Sequence, residues 1–111
     1  MTIYFHTKKL QKTCSRQAEA VRQLGAKRAR KLQQRLMELQ AAATLSDISR
    51  LPPARCHELI GDRKGQLSVD LDHPYRLLFI PAHYPSPRTR EGGLDWEKVT
   101  EIEVIAIEDP H

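Results

Sequence analysis

The side chains best suited to chemistry in this sequence are His57, Arg63, Lys64, Arg76 and His111. Imidazole and cationic groups in this combination fit cleavage of RNA without a metal. The ribose 2′-hydroxyl is a built-in nucleophile, so a protein need only remove its proton, protonate the leaving 5′-oxygen and stabilise the charge that builds at phosphorus. Histidine exchanges protons near neutral pH, and arginine holds two non-bridging oxygens at once. Singly, each residue also has a plainer reading. His57 fits a partly exposed strand residue, and Arg76 fits a salt bridge to Asp70 or Asp72 across a hairpin. Arg63 and Lys64 stand in a turn, where charge is ordinary, and His73 and His83 fit turn and loop.

Other chemistries lack their signatures. There is no G-x-x-x-x-G-K-S/T loop, G-x-G-x-x-G fingerprint, G-x-S-x-G elbow or H-E-x-x-H pair. Cys14 and Cys56 are too few for a disulfide scaffold and lack zinc-site spacing. Cys56 and His57 adjoin, but neighbours in a strand point to opposite faces, so neither a metal nor a cofactor is expected. The 111 residues suit one domain, 1–111. No apolar run exceeds that of Leu77 to Ile80, far short of the roughly 20 residues of a membrane span. At the N-terminus the charges follow the apolar residues, the wrong order for a secretory signal, and the expected location is the cytoplasm.

The elements that must position these residues follow from periodicity. Ile3 and Phe5 alternate with Tyr4 and His6 as a short strand, and helix-forming residues run from Thr7 to about Leu24. Gly25 breaks that pattern. A second helix from Ala26 to about Ala43 carries Leu32, Leu36 and Leu39 at i, i+4 and i+7, a stripe for the core. Lys27, Lys31 and Arg35 recur at i, i+4 and i+8, with Arg28 and Arg30 beside them, and are expected to form a basic ridge facing solvent. Thr44 to Arg55, with Pro52 and Pro53, reads as an ordered connection.

Beyond it the period changes to two. Leu67, Val69 and Leu71 alternate with Ser68, Asp70 and Asp72 as a strand with one buried face, set between turns at Gly61–Gly65 and Asp72–Pro74. Tyr75 to Ile80 forms the next strand, and Pro81 to Gly93 a long, proline-rich hairpin connection. Val99 to Ile107 is the last, and its apolar run from Val104 to Ile107 points to a central position. The expected fold is α+β, two N-terminal helices packed on a mainly antiparallel four- to five-stranded sheet.

Charge is distributed unevenly. Residues 1–36 hold ten basic side chains and one acid, a net of +9, whereas the remainder holds eight basic and thirteen acidic, a net of −5. Clustered cations gain free energy by releasing counterions from a phosphate backbone, which points to a polyanionic partner. Long basic side chains that merely solvate helices are the alternative.

Arg55-Cys56-His57-Glu58-Leu59-Ile60-Gly61-Asp62-Arg63-Lys64-Gly65-Gln66, then Asp72-His73-Pro74-Tyr75-Arg76-Leu77-Leu78-Phe79, then a terminal acidic-Asp-x-His, together resemble the HigB-type killer toxins of the RelE superfamily. The resemblance covers most of the chain, and the combination is much more specific than any one block. It implies a RelE-like fold and the toxin of a type II toxin–antitoxin system, an endoribonuclease that cuts mRNA on the ribosome. A helix-turn-helix antitoxin of the HigA type would neutralise it and alone connect it to operator DNA. Carried over by position, the resemblance makes His57, Arg76, Asp109 and His111 catalytic and gives Arg63 to the phosphate. Lys64, Lys27, Lys31 and Arg35 are further candidate RNA contacts. Only 5% of residues are aromatic, too few for a multi-ring stacking platform, which a presenting ribosome would make unnecessary. Pro110 stands where the family commonly has tyrosine, and proline offers neither a hydroxyl nor a backbone N–H. A catalytically degenerate module that binds antitoxin or RNA without cleaving is the alternative reading. The connection from Pro81 to Lys98 is also longer than in short family members.

Overall fold

Strand β1 (Thr2–Phe5) alternates exposed and half-buried side chains, as its sequence pattern predicts. The computed structural model describes residues 1–109. The single helix expected up to Leu24 is two helices, α1 (Lys8–Ser15) and α2 (Gln17–Leu24), so the layer has three helices rather than two. They part at Arg16, whose backbone is extended (φ −123°, ψ 114°). Thr7 caps α1 by accepting the Leu10 N–H at 3.1 Å. Near the other end, the Thr13 hydroxyl donates to the Lys9 carbonyl at 3.0 Å, a contact that bends helices. Gly25, at φ 84°, then supplies the left-handed link to α3 (Ala26–Ala41).

Helix α3 buries Leu32, Leu36 and Leu39, the expected stripe. It also buries Arg35, with 1% of its surface exposed, and this corrects the expected solvent-facing ridge. Each step of four residues advances about 40° around a helix, so the i, i+4, i+8 series drifts from exposed Lys27, through half-buried Lys31, onto the core side at Arg35. There Arg35 Nε donates to the Asp70 carbonyl at 2.7 Å, and Nη1 reaches both oxygens of Glu38 at 3.2 and 3.3 Å. Arg28 is likewise structural. It pairs with Asp72 at 3.0 and 3.1 Å and lies over the Tyr75 ring at 3.4 Å.

The remaining strands are β2 (His57–Glu58), β3 (Leu67–Asp70), β4 (Arg76–Pro81) and β5 (Glu101–Glu108). The sheet order is β1-β5-β4-β3-β2, with β1 parallel to β5 and every other pair antiparallel. As its apolar run predicts, β5 is interior. The run has a more specific cause, however. Leu78 faces Ala106 while Phe79 faces Val104, so Ile105 is an extra residue in a β-bulge. The bulge resets the alternation of β5. Ile102, Val104 and Ile107 pack with Val69, Leu77 and Phe79 toward the helices, leaving Ala106 and Glu108 on the other face.

The long β4–β5 connection is pinned rather than loose. Trp96 and Val99 join the core, the Trp96 indole N–H donates to Glu58 at 3.3 Å, and the Arg50 guanidinium covers the ring at 3.8 Å. Cys14 and Cys56 are buried free thiols, and burial pushes both pKa values up to about 12. Neither should react with Ellman's reagent at pH 8 until denaturant is added; rapid labelling of the native protein would contradict their burial. From the unfolded thiol pKa near 8.5 up to about pH 12, the unfolded chain releases protons that the folded one keeps. Stability should therefore fall as pH rises through this window, by about 1.4 kcal/mol per pH unit for each thiol.

Candidate active site on the open face of the sheet

The helices cover one face of the sheet, and strand parity decides what the other face carries. His57 pairs with Ser68 and Ser68 with Leu78, while Asp70 pairs with Arg76 and Arg76 with Glu108. Residues directly opposite share a face, as do residues two apart in one strand. His57, Gln66, Ser68, Asp70, Arg76, Ala106 and Glu108 thus lie together on the side away from the core. Arg63 sits in the tight turn Gly61–Arg63 before β3 and reaches over β3 and β4 to Glu108, Nη1 to Oε1 2.6 Å. Three of the proposed chemical residues, His57, Arg63 and Arg76, meet on this face.

The imidazole of His57 is oriented by its own strand. Its Nδ1 lies 3.0 Å from the Arg55 carbonyl, which can only accept, so Nδ1 carries the hydrogen and Nε2 holds the free lone pair of the neutral ring. Arg55 takes an uncommon left-handed conformation (φ 48°), and its guanidinium grips Asp70 through two bonds of 2.7 and 3.2 Å. The backbone that seats the histidine is therefore itself tied to β3.

Arg76 lacks the structural role that its sequence context offers. Asp70 is held by Arg55, Asp72 by Arg28 and Glu108 by Arg63. The two carboxylates that pair in register with Arg76, Asp70 and Glu108, are each taken by another arginine, and among the described residues the buried Arg76 Nε has no hydrogen-bond partner. Gln66 Oε1 and Ser68 Oγ share this condition; Glu108 Oε1 also lacks a hydrogen bond but is ion-paired with Arg63. Every such atom among the described residues belongs to the open face. A buried polar group left unpaired costs about 1–3 kcal/mol. Three of them, on Gln66, Ser68 and Arg76, have neither a hydrogen bond nor an ion pair, and they gather hydrogen-bonding capacity on one face.

The other candidates lie elsewhere. Lys64 follows Arg63 but lines a cleft on the far side of the turn. Lys27 and Lys31 belong to the helical layer, across the sheet from His57, and Arg35 is buried there. Asp109 is exposed just after β5. His111 and Pro110 lie outside the described residues. Among those described, no group of three His, Cys, Asp or Glu side chains is placed to hold a metal ion, and no helix is long and apolar enough to cross a membrane. Sequence reasoning missed Gln66, Ser68 and Glu108 as site residues. The polar parity of β3 contained the signal for the first two.

Fold and site together define a class: an α+β protein with its helices behind a five-stranded sheet and a polar patch around His57, Arg63 and Arg76 on the sheet's open face. In overall structure the chain is similar to a YoeB/ParE toxin from Agrobacterium tumefaciens, with a TM-score of 0.60 over 100% of both chains and 12% sequence identity. This likeness is one of fold. No family model and no curated protein sequence matches the chain.

Proposed function

We propose that the chain is the toxin of a type II toxin–antitoxin system, a metal-independent endoribonuclease that cuts mRNA on the ribosome in the cytoplasm. The observation that carries this reading is the open face, where Arg76, which forms no ion pair among the described residues, adjoins a tautomer-fixed His57 and the unpaired Gln66 and Ser68. In this reading His57 Nε2 takes the 2′-hydroxyl proton or delivers one to the 5′-oxygen. Arg76 stabilises charge on the phosphorane, Arg63 holds the phosphate, and Asp109 and His111 complete the proton transfers from the end of the chain. Exposed helix cations, Lys27 among them, face ribosomal RNA from behind the sheet. The toxin fold favours an antitoxin partner, and the sequence blocks favour the HigB type with a HigA-like helix-turn-helix antitoxin.

Inducible expression tests the reading. Wild type should arrest growth and produce new mRNA 5′-ends within translated regions, whereas His57→Ala should lower cleavage at least about 100-fold. Growth arrest without new 5′-ends would favour the non-cleaving alternative, which Pro110 motivates. Equal cleavage by both proteins would remove His57 from the site.

A further inference from the structure

We propose that a cleft of about 590 Å³ between the 59–65 turn and the long β4–β5 connection binds the RNA nucleotide next to the one cut. The inference rests on the RNA-cleaving function proposed above and gives the long connection a role in substrate binding. The first argument is position. Arg63 and Lys64 are consecutive, with Cα atoms about 3.8 Å apart, yet they serve opposite sides of one turn. Arg63 reaches over the open face to Glu108, while Lys64 lines the cleft. A single strand that crosses this turn presents one phosphate to the open face and a neighbouring one to the cleft.

Charge is the second argument. Lys64 and Arg88 stand on the cleft walls, and among the described residues neither forms a salt bridge. Arg88 donates only to the Gly92 carbonyl, at 3.3 Å. The one acid in the lining, Glu58, accepts the Trp96 indole N–H through one of its oxygens. Two cations against one acid suit an anion. The third argument is the apolar lining. Ile60 is 88% exposed, an unusual state for isoleucine, and lines the cleft beside the half-buried Leu94, so a base can lie against it.

The cleft is also preformed. Thr89 N–H to Gly93 O at 2.8 Å and Asp95 N–H to Pro87 O at 2.9 Å brace the connection, and Trp96 anchors it in the core. A nucleotide entering it does not have to order a loop first, which removes one cost of binding.

Ribosome-dependent cleavage of a defined mRNA should therefore show a KM raised at least fivefold by Arg88→Glu, and also by Ile60→Ser. Arg90→Glu, an equally exposed charge reversal in the same connection but outside the cleft lining, should leave KM within twofold. An abasic substitution at the nucleotide neighbouring the cut should weaken wild type and make little difference to Ile60→Ser. Equal KM values for wild type and Arg88→Glu, or equal losses in Arg88→Glu and Arg90→Glu, would overturn the cleft while leaving the cleavage function standing. Absence of cleavage by wild type on any mRNA would overturn both.

Discussion

Replacing Arg76 by methionine is expected to lower mRNA cleavage at least about 100-fold while leaving the melting temperature unchanged or raised. The two effects have separate causes. Losing a donor aimed at charge that develops in the transition state typically costs about 10²–10³ in rate. Stability should move the other way, because among the described residues the buried Nε of Arg76 has no hydrogen-bond partner. An apolar side chain of similar length keeps the packing and relieves about 1–3 kcal/mol of desolvation. Thermal unfolding and cleavage measured on one preparation decide the matter. Destabilisation by more than about 1 kcal/mol with cleavage retained would make Arg76 a structural residue.

Arg35→Ala should show the opposite profile. Its guanidinium is fully enclosed and joins α3 to β3 through the Asp70 carbonyl at 2.7 Å. Truncation strands that carbonyl, leaves Glu38 without its ion pair and opens a cavity, for an expected loss of about 3–5 kcal/mol. Against a total of about 5–15 kcal/mol for a domain of this size, that is a large fraction. Urea unfolding should show it as a lower midpoint, whereas Lys27→Ala, on the exposed part of the same helix, should change stability by less than about 0.5 kcal/mol. Equal effects from the two would mean that Arg35 carries no more than a surface charge does.

The contrast between these arginines marks how far the sequence could be read. Period-two alternation in β3 and the leucine stripe of α3 fixed the core because each depends on local geometry alone. Parity within β4 likewise told which way Arg76 points. Three features depended on something less local. Arg35 sits at a spacing that looks like a surface row, and only the drift of the helix carries it inward. The break at Arg16 has neither glycine nor proline to announce it. Ile105 lies within an apolar run that reads as a strand buried on both faces, although the structure explains it by a bulge. The candidate site shows the same limit. His57, Arg63 and Arg76 were legible as residue types, but Glu108 joins them only through strand order and an ion pair 45 residues apart in sequence. The dismissal of Arg76 as a hairpin salt bridge depended on knowing that Asp70 and Asp72 already have arginine partners.

The Arg63–Glu108 pair also changes what binding at this face means. An anion that reaches Arg63 finds a carboxylate in place, so it enters by exchange and gains only the difference between two charge-assisted contacts. A singly charged small ion offers little over a carboxylate already tethered to the chain. A ligand anchored at several neighbouring points has the tether on its own side, since its local concentration at Arg63 is set by its other contacts. If Arg63 holds the phosphate as proposed, Glu108 is a resident competitor that favours a polymer over isolated anions.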